Sequence, residues 1–203
     1  MVVGDERFQR AVKAIDAANG GDPNMVEFHG EMRPKELVHA QLMTEWVQRL
    51  HPEASEVLLL AARAHHLRRW MVPRSDYEEG RAGYLKWRRS LHEFHASEVG
   101  RILAAVGYDE DTVARVQDLV AKRDQPARGV SDDPDARAME DALCLVFITT
   151  QFRSLANRLD DEKMVEVLRK VLRKMSPDAV TATLQLSLDG DDRRLIEQAV
   201  SPT

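Results

Sequence analysis

Cysteine is nearly absent: the 203-residue chain has one, Cys144. An intrachain disulfide is therefore excluded, and so is a thiolate zinc cluster. Long hydrophobic runs are missing too. The longest, residues 57–62 and 142–148, fall far short of the roughly 20 residues a membrane helix needs. The first residues, Met1-Val2-Val3-Gly4-Asp5-Glu6, lack a basic stretch followed by an apolar one, so no signal peptide is expected and the expected compartment is the cytoplasm. No Gly-rich phosphate loop, nucleophile elbow or His-Glu-x-x-His motif occurs, which removes kinase, serine hydrolase and zincin chemistry. Basic charge is in deficit, 29 Lys and Arg against 34 Asp and Glu, giving a net charge of −5. Such a chain is a poor generic binder of DNA or anionic membrane.

What is present is a normal globular balance, 43% hydrophobic and 31% charged. The length suits a single domain over 1–203. Period-two β-branched runs are absent, while apolar residues recur at spacings of three and four, so the expected fold is all-α with seven to nine helices. The first runs over about 5–19 with Phe8, Val12 and Ile15 on one face. After a loop to Pro34, which suits a first helical position, the second carries Ala40, Met43, Val47 and Leu50. A third runs from near Pro52 to about Met71, where Pro73 stops it. Residues 74–83 read as a loop or a loose first turn. A long fourth helix follows to Val106 with Gly107 as its C-terminal cap, and a fifth holds Val113, Val116 and Val120. Residues 124–133 read as a loop. A sixth helix spans Pro134 to about Arg158, and a seventh carries Met164, Leu168, Val171 and Met175. Ser176-Pro177 then caps the first of two short closing helices, split at residues 189–192.

Polar residues on these apolar stripes are the candidates for chemistry, because a buried charge is costly unless it is paired or metal-bound. Glu36 extends the stripe of the second helix, and also suits an exposed first-turn acid favoured by the helix dipole. The third helix ends in His65-His66, of which at least one points inward. His95 flanks the stripe of the fourth helix, with His92 one turn earlier and expected at the solvent edge. Asp141 is the polar member of the stripe Asp141, Leu145, Ile148, Phe152 and Leu155, to be met by a metal or by an arginine. Glu36, one or two histidines of the pair, His95 and Asp141, from four helices, suit manganese, iron or zinc in a bundle core. Seven basic residues also crowd into 68–89, with Trp70, Tyr77, Tyr84, Trp87 and Phe94 in or beside them. Arg68, Arg69, Arg74, Arg81 and Arg88 offer bidentate forks for phosphate, and Trp70, Tyr84 or Trp87 a stacking face. Taken alone, the segment also fits a solvated basic face over core aromatics.

The order of these residues resembles the HD-domain metal-dependent phosphohydrolases, an all-α superfamily. There a first-helix histidine, a His-Asp pair ending a later helix and a distal aspartate bind metal, and larger members add a histidine. Here residues 61–68 resemble the pair segment, 95–103 the added-histidine segment, and Glu140-Asp141-Ala142 the distal aspartate. The pair is His65-His66, and the first histidine falls near Glu36, with His39 close by. Nearly the whole chain is similar to a second family, domain of unknown function 4202. The likeness rests on Pro34-Lys35-Glu36-Leu37, His66-Leu67-Arg68-Arg69-Trp70 and residues 80–88 and 140–147, among others. In such sequences glutamine often stands at the position of His65, which points to His66 as the inward residue. Together these likenesses imply an HD-like helical bundle. Glu36, His66, His95 and Asp141 would be metal ligands, with Glu36 and Asp141 also catalytic. The implied activity is metal-dependent hydrolysis of a small phosphorylated, nucleotide-like molecule. The alternatives are a non-catalytic binder of an anionic ligand or RNA, and an iron-dependent oxygenase on the same scaffold.

Overall fold

The computed structural model describes residues 6–123 and 131–201. Ten α-helices and one hairpin are found there: α1 Glu6–Asn19, β1 Met25–Phe28, β2 Glu31–Pro34, α2 Lys35–Leu50, α3 Glu56–Ala64, α4 Gly80–Val106, α5 Glu110–Ala121, α6 Pro134–Thr150, α7 Phe152–Ala156, α8 Asp161–Leu172, α9 Pro177–Leu184 and α10 Gly190–Val200. Two short 3-10 turns, Arg69–Met71 and Arg74–Asp76, lie between α3 and α4. Of the loop expected over 124–133, residues 124–130 lie outside the described part.

The mostly helical expectation is met, with ten α-helices among the described residues where seven to nine were expected, and with three differences of detail. The segment before Pro34, read as a loop, contains an antiparallel pair with Met25 opposite Pro34 and Phe28 opposite Glu31. His29 and Gly30 close it, both at positive φ (53° and 82°), the backbone a two-residue hairpin turn demands. The third helix stops at Ala64, seven residues early, although neither proline nor glycine is there. The chain leaves it in tight turns, with Leu67 N–H bonded to Ala64 O (3.0 Å) and Arg69 N–H to His66 O (3.1 Å). The sixth helix is broken at Gln151 into α6 and α7. Just before the break, the Thr149 and Thr150 hydroxyls donate to the carbonyls of Leu145 (2.8 Å) and Val146 (2.6 Å), competition of the kind that bends helices.

Caps follow the sequence. Ser55, Asp109, Asp133, Asp160, Ser176 and Asp189 each accept from a backbone N–H in the first turn of the helix they precede. In α4, which begins ahead of the expected loop's end, a side chain at Gly83 would meet Glu78 O at 1.9 Å, so only glycine fits that approach.

Helix α2 packs on α6 and α3, α3 also on α5, α4 along α5, and α8 against α10. One continuous core results, with Ile15, Met43, Leu60, Leu67, Leu103, Leu145 and Leu168 fully buried. Each such side chain contributes roughly 1.5–3 kcal/mol by leaving water. The arrangement brings the start of α2, the end of α3 and the middle of α4 together.

Candidate metal centre

The site begins with a carboxylate that is not in the site. Asp22 is buried, and its Oδ1 accepts from Asn24 N (2.9 Å) and Asn24 Nδ2 (2.8 Å). Its Oδ2 accepts from Glu36 N (3.0 Å), which holds the first turn of α2. Glu36 and His39, three residues apart, then share one helix face. On the facing element, Arg63 clamps Asp16 with two bonds of 2.6 Å and pins α3 to α1. After the helix end, Arg68 sits in the left-handed region (φ 53°), and Asn19 Oδ1 holds its N–H at 2.9 Å. The tight turn swings both His65 and His66 toward α2.

Three imidazoles therefore meet. One ligand atom of each of His39, His65 and His66 lies within 4.8 Å of the others, the group suited to a metal ion among the described residues. His39 Nε2 is 3.3 Å from His65 Nδ1. The His39 and His66 rings stack at 4.0 Å with 12° between planes, and the His65 and His66 rings at 4.5 Å. Burial, then neighbouring positive charge, keeps all three neutral. His39 is pushed down to about 3, by burial and then by Arg69 and Lys35. His65 and His66 are held well below the usual histidine range, burial being the largest cause in each. Neutral imidazole is the form that binds metals.

Glu36 stands next to the group, beside His66, and is not one of the three gathered residues. Its Oε2 stands 3.2 Å from His66 Nδ1 but out of line for a hydrogen bond, and that buried oxygen has no hydrogen-bond partner among the described residues. Burial raises the Glu36 carboxyl to about 7, against the opposing pull of Arg69 and Lys35. Arg69 Nε is 4.0 Å from Glu36 Oε1, and its guanidinium covers the Trp87 ring at 4.9 Å.

Two cavities open beside the group. The first, about 330 Å³, is lined by Lys35, Glu36, His39, His66, Arg69 and Thr149 among others. The second, about 260 Å³, lies toward α4 and shares His66 and Arg69 with the first.

A model of the family described as a domain of unknown function (DUF4202) matches residues 9–196. The chain belongs to this family. No curated protein and no solved structure matches it. The matched stretch of the DUF4202 family contains every residue of the histidine group and both cavities.

The expected site residues divide clearly. Glu36 and His66 are together, and His95 stands beside them, its ring 5.9 Å from that of His66. Asp141, expected as a ligand, is not one of the group. Its Oδ1 accepts from Ser176 N (2.8 Å) and ties α6 to the start of α9, so the buried carboxylate finds its partner in a backbone amide. Of the basic segment, Arg69, Arg88, Tyr84 and Trp87 line the second cavity. Arg68 pairs with Glu98 (3.0 Å), Arg74 donates to the carbonyls of Tyr77 (2.8 Å) and Glu78 (2.7 Å), Arg81 is exposed, and Trp70 lies near Gly21.

His39 was the missed member, although its spacing from Glu36 on the core stripe was legible. The resemblance pointed to His66 as the inward residue, but His65 is the buried one of the pair and His66 is half-buried, because the helix ends before the pair. His92 is half-buried on the second cavity instead of at the solvent edge. Lys122, at the end of α5, also lines that cavity, and no pattern in the sequence marks it.

Proposed function

We propose that this protein is a metal-dependent hydrolase of a small phosphorylated, nucleotide-like substrate. The observation that carries the reading is the cluster of three neutral imidazoles beside two cavities, with the orphaned buried oxygen of Glu36 next to His66. His39, His65, His66 and Glu36 would hold the ion, and a nitrogen–oxygen donor set of this kind suits zinc, manganese or iron. The bound ion would supply Lewis-acid chemistry, polarising a phosphoryl oxygen and acidifying water.

The chain's own residues do the rest. Arg69, shared by both cavities, orients the phosphoryl group, its guanidinium held flat by Trp87. Trp87 is fixed in turn by its Nε1–H bond to Val72 O (2.9 Å). Tyr84 offers an exposed aromatic face for a base. Glu36 would meet the ion as a carboxylate, the ion's charge offsetting the burial that otherwise raises its carboxyl to about 7.

A second reading, a binder without turnover, is favoured by the 3.3 Å approach of His39 to His65, which two neutral rings can make without an ion. Elemental analysis of the purified chain, with a panel of phosphorylated compounds and added manganese, decides. About one ion per chain and turnover of a phosphate ester support the hydrolase. Ligand binding with neither metal nor turnover supports the binder.

A further inference from the structure

The seven basic residues of 68–89 do not share one task. Arg68 is paired with Glu98, Arg69 stands beside Glu36, and Arg74 is occupied by the carbonyls of Tyr77 and Glu78. Lys86 lines a third cavity together with Asp76 and Glu78. Arg81, Arg88 and Arg89 remain. All three are exposed on the first half of α4, and none makes a hydrogen bond or ion pair among the described residues. Arg81, Tyr84 and Arg88 follow at spacings of three and four, and Leu85 and Arg89 at four, so the five share one face. Residues 80–92 hold no aspartate or glutamate, and Glu93, next on the helix, is bonded to Arg123 (2.8 Å). In a chain of net charge −5, this face is a local excess of free positive charge.

The same face carries an aromatic ring open to solvent. Tyr84 is 44% exposed, and the Arg88 guanidinium lies 6.0 Å from its ring centre. Behind Tyr84 the Trp87 ring follows at 5.8 Å, and Arg69 covers Trp87 at 4.9 Å. These four side chains run from the exposed face of α4 into the second cavity, which all of them line together with His65 and His66. Free cations around an accessible ring fit a ligand that has both phosphates and unstacked bases. A duplex keeps its base faces covered, so Tyr84 has nothing to stack on there. An acidic peptide matches the charge alone. A membrane surface asks for a broader apolar face than Leu85 provides.

We infer that the exposed face of α4 docks single-stranded nucleic acid, with Arg81, Arg88 and Arg89 on its phosphates and Tyr84 stacked on a base, and that the end of the strand enters the second cavity. The docking face stands on its own chemistry. The entry of the strand's end as substrate rests on the hydrolytic reading above, and makes the nucleotide-like substrate the terminal unit of a strand.

The test begins with fluorescence anisotropy of the full chain, stripped of metal by a chelator, against a labelled single-stranded RNA of about eight nucleotides. Binding is expected, with log K falling against log salt at a slope of about −2, as three phosphates neutralised on a single strand give. Arg81→Gln and Arg89→Gln should each weaken binding and flatten the slope by about 0.7. Tyr84→Ala should weaken it about tenfold at an unchanged slope. All three residues are exposed, so the fold is not at stake. Lys170→Gln, which removes an exposed charge on α8, should change nothing. Absence of binding, a duplex or polyglutamate bound as tightly, or no effect of Tyr84→Ala overturns the docking face. With manganese added, the terminal phosphate of the strand should be hydrolysed at a higher kcat/KM than that of a mononucleotide, and Arg81→Gln with Arg89→Gln should remove the advantage. Equal rates on the two substrates overturn the strand as substrate. Strand binding in a protein that takes up no metal and turns nothing over overturns the hydrolase and leaves the docking face. Turnover of mononucleotides without strand binding overturns the inference alone.

Discussion

His39 Nε2 and His65 Nδ1 stand 3.3 Å apart across the contact between α2 and the end of α3. Their approach joins two residues that lie 26 positions apart in the chain. It also separates the roles of two buried polar residues that look alike in sequence, His39 and Asp141.

Replacing His39 and replacing Asp141 should have opposite signatures. His39→Ala removes a member of the candidate metal group and should lower ion affinity by at least the roughly 10–100-fold that even supporting partners cost. Asp141→Leu leaves Ser176 N–H buried without its acceptor and should cost about 1–3 kcal/mol of stability with ion affinity intact. Zinc or manganese titration beside denaturant unfolding of both variants checks this. Loss of ion binding in the Asp141 variant at full stability would contradict it.

Glu140 should make the fold acid-sensitive. Burial alone would raise its carboxyl, but the charge and bond of Lys122, then those of Lys174, outweigh burial and hold it at about 2. A carboxylate depressed in the folded state contributes stability above its ordinary range near 4.5, and the contribution is lost as pH falls toward 2. The size is on the order of 3 kcal/mol. Glu140→Gln should therefore be less stable than the parent at pH 6, with the gap closing between about pH 4.5 and 2, as urea unfolding would show. A gap independent of pH would contradict the assignment.

Asn19→Ala should loosen the turn that aims His65 and His66. Asn19 is fully buried, and its Oδ1 holds the N–H of Arg68 in its left-handed conformation. Losing that acceptor should cost about 1–3 kcal/mol and raise hydrogen exchange at Arg68. Unchanged exchange there would show that the turn is set elsewhere.

Much of the architecture was legible because it depends on local rules. Helix periodicity, the Ser176-Pro177 cap, the Pro134 start and the Gly107 terminus each involve residues within a turn of one another. The hairpin over 25–34 was not legible, because His29-Gly30 is an uncommon way to meet a turn that asks for two positive φ angles. The break at Gln151 was hidden as well, since threonine hydroxyls decide between helix and bend only with their acceptors in reach.

For the site, the sequence by itself determined the cast: Glu36, His66 and His95 were polar residues on or beside apolar stripes, and burial without a partner is costly enough to single them out. Tertiary structure alone decided the partners. It gave Asp141 to the Ser176 amide, brought His39 and His65 into the group, and delivered Lys122 from the end of α5 to a cavity walled by α4. Spacing along one helix reports which face a residue occupies. It carries no information on which atom of a distant helix will lie 3 Å away, because that distance is set by how the helices pack.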